Sequence, residues 1–443
     1  MFYFLTLVFC SETFSQKFAD KKFYLADSLD LTKVEPANVQ LLDSLLKIYH
    51  NNANDTFKIN ILMKVVEECF NENVWPKYNN MVFELLKKRM NARKSDSPGY
   101  ELYYKRTYAT TLNNKGYLYN KHGDFEKALS EWEQSLKLRT EIDDKTGIAS
   151  SLNNIASVYE NLGNITVAID YYHRSLKIRE EIKDIKGTGS TLNNIGSLYM
   201  DQGEVERALE CWQRSLVLRR QAGNKNGEAT TLNNLASVFE EQGKFDTALN
   251  YFFQALSIQS TIGNKLGEAT CLRNIARTYE HIAEASSQKK TEAALRDSAL
   301  YYIKKSLALR EEIGDKKGIA ASLGNLGLIY MHLDKTNEAE KCGNRALEIA
   351  LQIKTPGNIR EAAQLLYFVN KKKRNFAKAL EMYELFNTMK DSVANQDNKK
   401  AGIKQQLKYE YEKRSTADSV KNAELQKVKD AQLAAQNASL KQE

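Results

Sequence analysis

The side chains that most often carry chemistry are thinly spread along this sequence. Its five cysteines, Cys10, Cys69, Cys211, Cys271 and Cys342, show no CxxC spacing and no histidine placed beside them as in a metal motif. They read as small buried apolar residues. The five histidines form no HExxH pair, and no glycine-rich phosphate loop is present. The adjacent acids Glu240 and Glu241 converge with no base and read as the rim of a surface. The expectation is therefore a non-catalytic chain with no metal ligand and no cofactor.

Amide chemistry is another matter. The stretches TLNNKGYLY at 111, SLNNIASVY at 151, TLNNIGSLY at 191 and TLNNLASVF at 231 place two asparagines side by side within helical patterning. Asn is a weak helix former because its amide competes for nearby backbone groups. Its recurrence at one turn therefore needs a reason. An amide offers a donor and an acceptor, which suits either a neighbouring helix or the backbone of an extended peptide. CLRNIARTY, at 271, breaks the pattern by putting Arg273 where Asn stood and Arg277 where Ser stood. Four apart on a helix, they share one face and form a cationic spot able to hold a carboxylate. The competing reading pairs them with Glu240, Glu241 or Glu280 and gives them only a structural part.

The elements that position these residues follow from spacing. Leu112, Leu152, Leu192, Leu232 and Leu272 stand 40 residues apart, and Leu323 follows after an insertion of 11. A fixed period of this size marks a solenoid. In one unit, Leu152, Ile155, Ala156 and Tyr159 make a 3.6-period stripe. Gly163 ends that helix, and a second helix turns Ala168, Tyr172, Leu176 and Ile178 inward. The turn recurs at Gly123, Gly203 and Gly243. Small residues follow at Ala128, Ala208, Ala248, Ala299 and Ala339, then large rings at Trp132, Trp212, Phe252 and Tyr302. Small against large lets two helices approach closely. Asp144, Asn224, Asn264 and Asp315 are placed to cap the next helix.

These marks resemble the tetratricopeptide repeat: Gly116/Tyr119, Ala156/Tyr159, Gly196/Tyr199, Ala236/Phe239, Ala276/Tyr279 and Gly327/Tyr330 in the first helix, then Ala and an aromatic in the second. The 40-residue period resembles the longer variety found in kinesin light chains and Pins-like scaffolds. The resemblance covers 109–350 and fades through 361–390, where Asn370 takes the Tyr position. It implies an all-α, right-handed superhelix of helix–turn–helix units whose first helices line a concave groove. Asn114, Asn154, Asn194, Asn234, Asn274 and Asn325 then share a position that bonds to the neighbouring helix or contacts ligand. Asn113, Asn153, Asn193 and Asn233 share one that points into the groove, beside Ser157, Ser197 and Ser237. The implied function is binding of a protein or peptide segment by a groove made of these asparagines and serines with Arg273 and Arg277. The two-Lys, two-Asn pattern of carboxylate-clamp members is not matched.

Segment boundaries follow. Residues 17–106 read as degenerate capping helices, 107–390 as the array, with six regular repeats and one degenerate, and 391–443 as a charged helical stalk. The apolar opening MFYFLTLVFCSETFSQ reads as a signal peptide over 1–16, the alternative being a first turn packed on the domain. The sequence KDSVANQDNKKAGIKQQLKYEYEKR resembles the segment that joins tetratricopeptide sensor regions to a membrane helix in bacterial receptors with histidine kinase or serine-phosphatase outputs. That implies an extracytoplasmic sensory region, attached to the membrane through a segment outside this sequence and with dimerisation through the stalk left open. A free-standing cytoplasmic scaffold is the alternative. Net charge is +8, but acids and bases intermingle, and KKKR at 371–374 falls at a turn, so nucleic acid is not implied.

Overall fold

In a computed structural model the chain is described at Val34, residues 36–51, 54–69, 74–91 and 98–394, short stretches of 401–412, and Gln426. The expectations for 1–16, for Cys10 and for almost all of 413–443 lie outside the described residues. Every regular element among the described residues is a helix. They fall in two units, residues 1–158 and 159–443.

The first unit holds α1 (Pro36–His50), α2 (Asp55–Glu68), α3 (Trp75–Asn91), α4 (Pro98–Lys121), α5 (Phe125–Glu141) and most of α6 (Lys145–Asn161). Its early helices bury Leu42, Leu46, Ile59, Leu62, Val82 and Leu86 in one cluster with Tyr104. Asn79 ties α3 to α4, donating to the Thr111 carbonyl at 3.1 Å and accepting from Asn114 at 2.9 Å. Pro98 opens α4, where the missing N–H of proline costs nothing.

The second unit continues with α7 (Ile165–Glu181), α8 (Ile185–Asp201), α9 (Val205–Gln221), α10 (Lys225–Glu241), α11 (Phe245–Thr261), α12 (Lys265–Ala285), α13 (Lys289–Glu312), α14 (Lys316–His332), α15 (Thr336–Gln352) and α16 (Pro356–Lys372). A further helix, α17, covers 376–394. The hairpin turns other than that of α12 and α13 carry a residue in the left-handed region, such as Gly203 at φ +77°. The next helix starts on a side-chain cap: Asp184, Asn224, Asn264 and Asp315 accept from the N–H three residues on at 2.8 to 3.1 Å. Asp144 does the same in the first unit at 3.1 Å. Asp184 is a cap that sequence spacing did not single out.

The close approach of helices has a measurable cause. Trp212 buries its ring against α8 and donates its indole N–H to the Asn193 carbonyl at 3.0 Å. A Cβ on Gly196 would lie 2.7 Å from that indole nitrogen, so the tryptophan requires glycine opposite it. Where the ring is Phe252, the buried residue packed with it is Ala236.

One expected core residue is displaced. Ile303, four after Ala299, is fully buried, while Tyr302 is only half-buried and stacks on Tyr279 at 5.6 Å. The four-residue step from Ala208 to Trp212 and from Ala248 to Phe252 places Ile303, not Tyr302, at the core position. Ile178, expected to point inward, is half-buried, and the deep positions of α7 are Ala168, Tyr172 and Ser175. The 11-residue insertion is absorbed as helix: α12 has 21 residues and α13 has 24, against 17 in the hairpin before them. No described helix is long and apolar enough to cross a membrane.

Candidate functional site

The paired asparagines form a relay between repeats. At three places an asparagine donates to the one 41 positions earlier. In the first unit Asn154 reaches Asn113 at 2.7 Å. In the second, Asn234 reaches Asn193 at 3.2 Å and Asn274 reaches Asn233 at 3.4 Å. Asn193 is the most committed member. It is 7% exposed, and its Oδ1 also receives Thr231 at 3.1 Å and Arg219 at 3.4 Å. Asn233 donates to the Ala229 carbonyl and to the Cys271 sulfur. Asn194 lies beside the Tyr172 hydroxyl, which donates to Glu160 at 2.6 Å. Asn113, Asn114, Asn153, Asn154 and Asn234 are half-buried.

Ser157, Ser197 and Ser237 are half-buried too, each bonding a carbonyl of its own helix at 2.8, 3.2 and 3.1 Å. Such back-bonds keep the hydroxyl close to the helix, where it takes little room.

The arginine pair splits in two. Arg277 is drawn to Glu240, with Nη2 to Oε2 at 2.5 Å, and the buried Glu240 carboxylate also accepts from Thr278 at 3.0 Å and lies 3.2 Å from His281. Arg273 has no hydrogen bond or ion pair to a described residue. Burial, with Arg310 and Arg277 nearby, pulls its guanidinium below the usual arginine value, and only Glu361 acts the other way.

Both arginines line a pocket of about 150 Å³ formed by α12, α13 and α14. Its apolar side is Ala276, Ile303, Leu328 and Ile329; its far end is Glu280, Glu284 and His332. Glu280 Oε2 meets His332 Nδ1 at 2.9 Å and Arg296 at 3.8 Å, while its Oε1 is shut off from solvent with no protein partner. Ligand atoms of Glu280, Glu284 and His332 lie within 4.8 Å of one another, a spacing a cation could bridge. The Arg296 charge beside Glu280 opposes a divalent ion there.

Sequence spacing missed this end of the pocket, because His332 lies 48 positions beyond Glu284 and Glu284 sits in the extra turn that the insertion adds to α12.

Among the described residues the cysteines carry no activated thiol. Burial pushes Cys69, Cys211, Cys271 and Cys342 upward, which disfavours the nucleophilic thiolate. Cys211 is half-buried; the other three are buried. The basic run at 371–374 is exposed at the end of α16, where Lys372 pairs with Asp334 and Lys373 with Glu340.

Comparison with known proteins agrees with this geometry. Tetratricopeptide-repeat models match residues 107–181 and 187–261, and a second such model matches 320–352. No curated protein matches the chain. Among solved structures, the apo quorum sensor NprR from B. thuringiensis is 16% identical, with 85% of this chain and 99% of that one covered at a TM-score of 0.52. A signal transduction ATPase with numerous domains and a tetratricopeptide repeat sensor, from Pyrococcus horikoshii, is 15% identical, with coverage of 83% and 53% and a TM-score of 0.57. A Rap protein complexed with competence and sporulation factor is 13% identical, with coverage of 81% and 99% and a TM-score of 0.50. The hairpins of 107–181, 187–261 and 320–352 are tetratricopeptide repeats, and the leucines that mark the array recur every 40 residues.

Proposed function

We propose that the face made by the first helices of the repeats binds a segment of protein or peptide, without catalysis. The observation that carries the reading is Arg273: a half-buried guanidinium in a pocket of that face, held by no partner of its own. Leaving such a group unpaired is costly unless something supplies the missing acceptor. Elsewhere on the first helices of the second unit, Ser197 and Ser237 leave room for an extended backbone. Asn154 and Asn234 use the amide nitrogen between repeats and keep a carbonyl oxygen for a ligand N–H. Asn113 and Asn193 serve from behind, fixing those amides in place. The Rap protein complexed with competence and sporulation factor, a chain of similar fold that takes a partner, supports the reading.

The finer reading, a sensory input region of a bacterial signalling receptor held outside the cytoplasm, rests on the resemblance of 390–414 and on the apolar opening. A free-standing scaffold is its alternative.

The test is selection of peptides from a random phage-displayed library on the whole chain, followed by their affinity for Ser237→Tyr. A phenol at this half-buried position fills the face without touching the asparagine relay. Binding about tenfold weaker or more, with an unchanged melting curve, is the expected result. Peptides that bind the variant as tightly as the parent, or a selection that enriches nothing, overturn the proposal.

A further inference from the structure

Resting on the peptide reading above, the structure assigns a ligand chemistry to the pocket of α12, α13 and α14: we infer that it takes a short extended segment carrying one basic and one acidic side chain two positions apart. The argument is a census of charge. Arg277 and His281 face Glu240, and His332 and Arg296 face Glu280. Two charged groups of the pocket are left with no hydrogen bond or ion pair to a described residue: Arg273 at one end and Glu284 at the other. Glu280 Oε1, buried and unpartnered, adds a second acceptor near the Glu284 end.

Both ends belong to one helix. Residues 273, 277, 280, 281 and 284 follow the three-and-four spacing of a single face. Eleven residues at about 1.5 Å each set Arg273 and Glu284 roughly 16 Å apart along the axis. In an extended segment, residues i and i+2 project to the same side, about 7 Å apart at the backbone. Splayed Lys and Glu side chains cover the rest, with the residue between them over Ala276, Leu328 and Ile329. The acid meets Arg273, and the base meets Glu284 and the free oxygen of Glu280. A single small anion would satisfy only one end. A divalent cation would use Glu280, Glu284 and His332 and leave Arg273 as it is.

The insertion explains why one pocket has this character. It extends α12 by the turn that holds Glu284, so the acidic end exists in this hairpin alone among the regular repeats described.

The experiment is calorimetric titration of the whole chain with three end-blocked tripeptides, acetyl-Lys-Ala-Glu-amide, acetyl-Glu-Ala-Lys-amide and acetyl-Gln-Ala-Gln-amide. Saturable binding of at least one charged peptide and none of the neutral one is expected. Arg273→Gln and Glu284→Gln should each weaken it about tenfold or more, since each removes a charge-assisted contact. Glu284→Lys should instead accept acetyl-Glu-Ala-Glu-amide, a gain that misfolding cannot imitate. No saturable binding of either charged peptide overturns the inference, as does equal binding by the variants. So does zinc-dependent binding that His332→Gln abolishes and Arg273→Gln leaves alone. If library peptides bind the face while the tripeptides fail, the charge assignment falls and the peptide-binding reading stands.

Discussion

Gly196 and Trp212 show how one missing methyl group sets a helix spacing. The indole sits where a Cβ would be, so Gly196→Ala forces a ring or a helix to move, at a cost of about 1–3 kcal/mol. The protein contains the alternative solution, Ala236 facing Phe252. Trp212→Phe in the Gly196→Ala background should therefore recover much of the loss, measured as the midpoint of urea unfolding. A double variant no more stable than Gly196→Ala would show that the ring is not the obstacle. Glu160 offers a second residue-scale test. Burial, and then the Asp201 charge, raise its carboxyl above the usual 4.5, although the Tyr172 hydroxyl opposes them. A raised carboxyl favours the fold while protonated. Its contribution is complete below the unfolded pKa and is lost as pH rises through the folded one. Glu160→Gln keeps an oxygen for Tyr172 and removes the titration. The variant should gain stability over the parent between pH 4 and pH 7, with little difference at pH 4. A difference that does not change with pH would remove Glu160 from the account.

At the scale of the element, the helices divide by how they start. Among those that follow a repeat boundary, α6, α8, α10, α12 and α14 begin on Asp or Asn caps, whereas α9, α11 and α15 begin on Glu204, Lys244 and Lys335 with no side-chain cap bond. Asn224→Ala should cost about 1 kcal/mol, and Lys244→Ala should stay within about 0.5 kcal/mol; chemical denaturation of the two variants reads the contrast. Equal effects would mean that packing, not capping, holds the helix starts. These starts were legible because a cap, a turn glycine and an apolar stripe are local features with fixed offsets. Helix pairs, turns and the small-against-large rule could be read for the same reason. Tyr302 misled because an aromatic label outweighed the four-residue step that puts Ile303 in the core. The asparagine relay was half legible: a bond to a neighbouring helix was foreseen, but its acceptor is an asparagine 41 positions earlier. The pocket was less legible still. Arg273 drew attention by breaking a pattern, whereas Glu284 and His332 break none and meet only when α12 and α14 pack together.

Over the longest sequence separation in the second unit, Lys404 and Tyr411, from the segment expected as a charged stalk, meet residues of 159–171. The Tyr411 hydroxyl donates to Asp170 at 3.0 Å, and its ring meets those of Tyr171 at 5.7 Å and Tyr159 at 6.3 Å. Lys404 donates to the Gly163 carbonyl, and Leu407 is 7% exposed. Burial and the hydrogen bond to Asp170 push the Tyr411 phenol up to about 12, so it stays neutral and donating across the physiological range. The contact is small, and local opening of such a segment is cheap compared with opening the core. Tyr411→Ala should release the segment while the array stays folded. Limited trypsin digestion should then cut at Lys404 and Lys408 several times faster than in the parent, with the helical melting transition unmoved. Equal cutting rates in the two chains would mean that Tyr411 does not hold the tail. A melting transition that falls along with faster cutting would mean that the tail is part of the array's own stability, because the hairpin of α6 and α7 would then depend on a segment 241 residues away for its cover.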